Sequence, residues 1–301
     1  MSTTQHYYQT AGHVIAAGMV LSVMDVIALV LRFRARIESK QPLMADDWLL
    51  LPATLMVIGV GSCLVYGVQH EAFGYRQYPT SKDAPSIKAL NQMSMSIKLE
   101  WSISIILPIA LACTKISVLL FYKRIFAISQ TLKRLMIAFI VFIVLWALAF
   151  VLATLLCCGT MLFAIWKPIS EMAMCMFFLD VLMGFCITGF VTDLVLIAIP
   201  LPVIWRLKLS THNKIIASAT FLLGSVTLAA SLARLIISVG FVQEAANPKK
   251  DFILNTTLYC YWAMVEVSVG VFAACLPTLK PFFRSKGWQS VASKTRSLFG
   301  S

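Results

Sequence analysis

The sequence predicts an all-α polytopic membrane protein, a bundle of seven transmembrane helices with its amino terminus outside and its carboxyl tail in the cytosol. Composition is the first reason. Of the 301 residues, 59% are hydrophobic and only 13% charged, and the mean hydropathy is +0.85, far from the balance of a soluble domain. The second is pattern: the apolar residues fall into seven runs between short charged connections. Each run is long enough for ~30 Å of hydrocarbon at ~1.5 Å per helical residue. The third is where the basic residues lie. Arg32, Arg34, Arg36 and Lys40, then Lys123, Arg124, Lys133 and Arg134, then Arg206, Lys208 and Lys214, and finally the tail all fall on one side. The other side has only Arg76, Lys82, Lys88, Lys167, Lys249 and Lys250. The richer side is the cytosolic one by the positive-inside bias. The net charge of +12 therefore answers to a membrane surface and not to nucleic acid. The first basic residue is Arg32, so the first run lacks the basic start of a signal peptide.

In order, residues 1–11 form a short outer terminus, 12–279 the membrane domain and 280–301 a cytosolic tail. The spans lie near 12–31, 47–69, 97–122, 135–157, 178–205, 216–242 and 256–279. Ala45-Asp46-Asp47-Trp48 opens the second span: two aspartates at a helix start cap free N–H groups and complement the dipole. Pro108 in the third span and Pro200 and Pro202 in the fifth remove backbone donors and predict kinks. The fourth span ends in Cys157-Cys158, and Cys175 follows after a loop containing Trp166. A bridge from Cys158 or Cys157 to Cys175 closes a loop of roughly 17–18 residues on an oxidising face, worth about 3 kcal/mol; the alternative is unpaired thiols. Cys63, Cys113, Cys186, Cys260 and Cys275 fall inside spans, where cysteine is a small buried hydrophobe. Asn255-Thr256-Thr257 is a glycosylation sequon on the outer side, set so close to the seventh span that its use is not expected. The tail mixes Phe282, Phe283, Trp288, Val291 and Phe299 with basic residues, as an amphipathic segment on an anionic leaflet does, or a disordered one.

Charges inside spans carry the functional signal, because each is costly in hydrocarbon and needs a protein partner. They are Asp25, Lys98, Glu100, Lys115, Asp180, Asp193, Arg234 and Glu266. Lys98 and Asp180 reach the outer boundary. Counting from the span ends, Asp25 and Lys115 lie roughly 11 Å, and Asp193 near 18 Å, from the cytosolic boundary. Arg234 and Glu266 lie roughly 12–16 Å from the outer boundary, with Glu100 shallower on that side. Two clusters are expected: an inner one of Lys115, Asp193 and Asp25, and an outer one of Arg234, Glu266 and Glu100. Two acids sharing one base in a low dielectric do not both stay ionised. A spare proton of that kind serves acid catalysis or a pH switch; the plainer reading is a set of helix-to-helix clamps.

An ordered set of motifs then emerges: Asp46-Asp47-Trp48; Lys115-Ile116-Ser117 running into Leu120-Phe121-Tyr122-Lys123-Arg124-Ile125-Phe126; the Cys158, Trp166, Cys175 loop; Thr192-Asp193 before Pro200-Leu201-Pro202 and Trp205; Lys214, Gly224 and Arg234; Trp262 and Glu266; and Cys275-Leu276-Pro277. In this order, from about Arg32 to Pro281, they resemble the fungal rhodopsin-domain family of seven-span membrane proteins. That group includes Pth-type receptors and a membrane protein of satratoxin gene clusters. Thr160 stands where the family pattern has a proline. The resemblance implies the topology firmly and the activity hardly at all.

Retinal is not expected, because a Schiff base needs a lysine midway along the last helix. The span from Thr256 to Leu279 has none, and Lys280 lies at its end. No metal is expected, since His6, His13, His70 and His212 are scattered over ends and loops. A receptor fits the topology. Yet the third span ends in Tyr122-Lys123-Arg124 and the seventh in Cys275-Leu276-Pro277, without the acid–Arg–aromatic and Asn-Pro switches. Short inner loops leave little surface for a cytosolic transducer. An enzyme resembling seven-span terpene cyclases would use an embedded acid, with Glu100, Glu266 and Asp193 as the candidate catalytic groups. Carriers usually show paired repeats, which are missing. The expectation is an integral protein of the plasma membrane or an endomembrane whose partners are the bilayer and a small lipophilic molecule. It acts on or senses that molecule as an accessory or biosynthetic component of a fungal mycotoxin-type secondary-metabolite pathway. The alternative is a G-protein-coupled-receptor-like sensor of an external cue.

Overall fold

Long apolar runs with no backbone partner in lipid satisfy their N–H and C=O groups internally by becoming helices, and the described runs of this chain do so. The computed structural model describes residues 9–77, 87–126, 130–157, 178–199, 211–245 and 251–284. The helices are α1 (Ala11–Glu38), the single turn α2 (Ala45–Trp48), α3 (Leu50–Gln69), α4 (Ile87–Phe126), α5 (Gln130–Leu156), α6 (Phe178–Ala198), α7 (Thr211–Ala245) and α8 (Phe252–Arg284). Among the described residues, six of the seven long helices are long and apolar enough to cross a membrane, and the described part of α7 holds the apolar stretch Gly224–Gly240. The protein is an all-helical, multi-pass membrane bundle. The Cys158–Cys175 bridge, the fifth-span prolines Pro200 and Pro202, and the tail beyond Arg284 lie outside the described residues.

The long helices form a ring in chain order, closed where α8 packs on α1; α8 also touches α3 and α4, and α4 touches α6. The central positions of α4 and α8 are visible in their sequences, since both bury charged and polar side chains: Glu100, Thr114, Lys115 and Ser117 on one, Thr256, Thr257, Glu266 and Ser268 on the other. Peripheral α5 buries Met136, Ile143, Trp146, Ala147 and Thr154. Its outer face, with Leu145, Leu148 and Leu152 more than half exposed, meets lipid.

Between helices in lipid, close packing replaces the hydrophobic effect as the adhesive, so small residues mark the seams. On α1 and α3 these are Gly18 and Gly61: a Cβ on Gly61 would stand 2.6 Å from Ser22 Oγ and 2.7 Å from the Gly18 carbonyl. Around this seam α3 buries Leu50, Val57, Val60 and Leu64, all fully covered.

At one end of the bundle the α3–α4 connection folds over the helix ends. Gly74, at φ 77, donates its N–H to Thr257 Oγ1 at 3.0 Å. Gln92 Nε2 donates to the carbonyls of Glu71 and Arg76, Ser96 to that of Ala72, and the Gln77 N–H to Asp251. α4 therefore begins at Ile87, well before the run expected from hydropathy. The sequon residue Asn255 sits in the first turns of α8, and the Thr257 hydroxyl is buried and donates to the Ile253 carbonyl at 2.7 Å.

Candidate functional site

Lys115 reaches inward from α4 on the face it shares with Leu111, Thr114 and Val118, the i, i+3, i+4, i+7 stripe of a helix. An ammonium has three donors, and here each has an acceptor on α6. They are the Gly189 carbonyl at 3.1 Å, Thr192 Oγ1 at 2.7 Å and Asp193 Oδ1 at 2.9 Å. The Trp146 ring of α5 lies 5.3 Å from the same nitrogen.

On the facing pair of helices, Arg234 of α7 holds Glu266 of α8 by both arms of its fork, Nε to Oε2 at 2.5 Å and Nη2 to Oε1 at 3.2 Å. Its guanidinium stacks 4.8 Å over the Phe185 ring, and Phe185 is itself stacked on Trp146. Gly189 permits this approach, because a Cβ there would lie 3.2 Å from Arg234 Nη2.

The expected inner and outer layers are one network. Ser231 of α7 joins them, its hydroxyl meeting Asp193 Oδ2 and Glu266 Oε1, the latter at 2.7 Å. Four helices therefore meet at two cations and two carboxylates, all nearly or fully buried. The layers merge because Asp193, the deepest of the inner set, stands level with Arg234 in a ~30 Å core, where Ser231 reaches both carboxylates.

Two expected members stand apart. Asp25 is fully buried and is not brought to Lys115. α1 packs on α3 and α8, so its carboxyl faces Ser268 of α8. Glu100 is not brought to Arg234. It is buried against Tyr259 and Cys260 of α8, and its Oε1 has no hydrogen-bond partner. Of the three candidate acids, then, Asp193 and Glu266 are held by cations and Glu100 is not.

A second buried network lies at the end of the bundle opposite Gly74. Arg32 of α1 contacts Asp47 Oδ1 through Nε and Asp46 Oδ2 through Nη2, both at 2.7 Å, and donates from Nη1 to the Ala274 carbonyl of α8 at 2.5 Å. Arg36 contacts the same two aspartates at 3.0 and 3.3 Å. Asp47 also accepts the Met44 N–H, the capping role expected of it, while Ser117 of α4 donates to the Asp46 carbonyl at 2.8 Å. Capping is the smaller part of what these aspartates do. The signal was present in the spacing: Arg32 and Arg36, four residues apart, share a helical face, and Arg34 between them points out and is exposed.

Between the two networks lies a cavity walled by α4, α6, α7 and α8, with Lys115, Asp193 and Glu266 on one side and Leu111, Val118, Phe121, Leu196, Ile197 and Ala273 among the rest. Its enclosed volume is about 50 Å³, room for a few waters or a short apolar group, and beyond that it is open. Gly270 lines it with room for a side chain, a Cβ there having only ordinary contact with Thr114 at 3.6 Å, whereas Gly224 packs tightly, a Cβ there standing 2.9 Å from Ile197.

The family model described as fungal rhodopsin domain matches residues 31–285. The chain is 25% identical over 279 residues to the polyenoic acids biosynthesis gene cluster protein Ba17b of Metarhizium anisopliae, covering 89% of this chain and 72% of that protein. It is 24% identical over 272 residues to the receptor GIN3 of Arthrobotrys oligospora, covering 87% of this chain and 60% of that one. A SAT4 family membrane protein of Emericella nidulans is 33% identical over 94 residues, 31% of this chain and 22% of that one.

Proposed function

The chain belongs to the fungal rhodopsin domain family, and on that footing we propose that it binds a small lipophilic molecule within the membrane as an accessory component of a secondary-metabolite pathway. The observation that carries this reading is the cavity between the charge networks, apolar over most of its wall and only partly enclosed. The similarity to a protein named for a biosynthesis gene cluster supports the pathway half of it. Direct acid catalysis fits less well, because the two carboxylates beside the cavity, Asp193 and Glu266, are engaged by Lys115, Arg234 and Ser231. A sensor remains the second reading, favoured by the match to a protein named as a receptor.

The test is extraction of lipophiles that copurify with the full chain, compared with a Gly270→Leu variant whose side chain fills the cavity. A compound retained by the wild type and lost from the variant supports the proposal; identical extracts overturn it. Gene deletion with metabolite profiling separates the two readings. A changed metabolite pattern is expected, whereas an unchanged pattern with a lost response to an external cue favours the sensor.

A further inference from the structure

The cavity also specifies what kind of lipophile it takes, an inference that rests on the cavity being the binding site. The charges on its wall are already paired. Each ammonium donor of Lys115 has an acceptor, Asp193 pairs with Lys115 and meets Ser231, and Glu266 pairs with Arg234, although its Oε2 and Arg234 Nη1 make no hydrogen bond. The network contains two cations and two carboxylates, so no net charge faces the cavity. The two threonines on the wall donate to their own helices, Thr114 to the Leu111 carbonyl and Thr227 to that of Gly224, each at 2.8 Å. A hydroxyl that donates once keeps lone pairs to accept with. The wall, which also includes Tyr122, therefore offers acceptors to a ligand hydroxyl and no unpaired counter-ion to a ligand charge.

We propose that the cavity selects an uncharged lipophile whose polar part is a hydroxyl donor, and that the balance of Lys115 and Arg234 against Asp193 and Glu266 excludes charged amphiphiles. A charged head placed here loses its hydration and finds every opposite charge already paired, which is the costly case of an uncompensated ion. A neutral head loses far less and gains a hydrogen bond.

Three probes with one chain and different heads test this: decanol, decanesulfonate and decylammonium. Binding to the full chain in phosphatidylcholine nanodiscs is read as the thermal shift at equal membrane-bound probe concentration, with Gly270→Leu as the filled-cavity control. Decanol is expected to stabilise the wild type and not the control, with each charged probe at least roughly tenfold weaker. Equal or tighter binding of either charged probe overturns this inference and leaves lipophile binding standing. If none of the three distinguishes wild type from control, lipophile binding in the cavity fails and this inference with it. Asp193→Asn leaves Lys115 uncompensated and is expected to turn the preference toward decanesulfonate; Lys115→Met is expected to turn it toward decylammonium. An unchanged preference in both variants overturns the role given to the charge balance. Should neither variant fold, the three-probe comparison on the wild type decides the matter alone.

Discussion

Lys115 shows why a buried charge is stable only as part of a set. Removing one partner of a buried ion pair strands the other, at a cost of about 3–5 kcal/mol, whereas removing both together is far cheaper. Lys115→Met and Asp193→Leu are each expected to lower the unfolding midpoint in detergent strongly, and the double variant to lose much less than the sum. Strictly additive losses would sink the pairing. The same reasoning separates two arginines on one helix. Arg32→Ala removes the fork that holds Asp46, Asp47 and the Ala274 carbonyl and is expected to cost about 3 kcal/mol or more. Exposed Arg34→Ala should stay within about 0.5 kcal/mol, and equal effects would contradict the assigned geometry. Residue identity and depth along a span made part of the charged site legible in the sequence. Asp193 at ~18 Å from one face and Arg234 at ~12 Å from the other stand at the same height in a ~30 Å core. Depth gives height and not direction, however. Asp25 lies at the height of Lys115, but α1 turns it toward α8, and no periodicity within one helix reveals which neighbour that helix meets. Ser231 was not legible at all, since a serine in an apolar run has no charge to demand a partner.

Helix by helix, the seams follow side-chain size. Gly61→Ala would drive a methyl into Ser22 Oγ and the Gly18 carbonyl, so α1 and α3 must separate, at about 1–3 kcal/mol. Gly240→Ala meets nothing within 4 Å and is expected to stabilise α7 by up to about 1 kcal/mol through helix propensity. Thermal unfolding of the two variants reads the contrast, and a harmless Gly61→Ala would refute the seam. The existence of each long helix was legible from hydropathy, and the start of α4 was not. Its first turns carry Lys88, Asn91, Gln92, Ser94 and Ser96, which read as a loop. Gln92 and Ser96 nonetheless belong to the helix, because they take up the carbonyls of Glu71, Arg76 and Ala72. Polarity there reflects a protein partner and not water.

For the whole molecule, we propose from the asymmetry of basic residues that the end with Arg32 and Arg36 faces the cytosol and the end with Gly74 the outside. Single cysteines placed at Lys40 and at Arg76 should differ in labelling by an impermeant reagent applied to intact cells, with only the second modified; the reverse would invert the topology. The sequon gives a second readout on that face. The Thr257 hydroxyl is buried and committed to Ile253 and Gly74, so glycosidase treatment should leave the electrophoretic mobility unchanged.

The contact between Arg32 and the Ala274 carbonyl also has a meaning in time. It joins α1 to α8, the last of the described helices to be synthesised, and α8 packs on both α1 and α3. Until α8 emerges from the ribosome, the Arg32 fork lacks one acceptor and the ring of helices stands open. The ring of described helices is therefore completed only by α8, and a chain lacking it presents quality control with an unsealed groove. A chain stopped after Ala245 should insert yet turn over several-fold faster than the full one in a pulse–chase experiment, and coexpression of the missing segment as a separate helix should slow that loss. Equal lifetimes would mean that the first six spans hold together without the seventh.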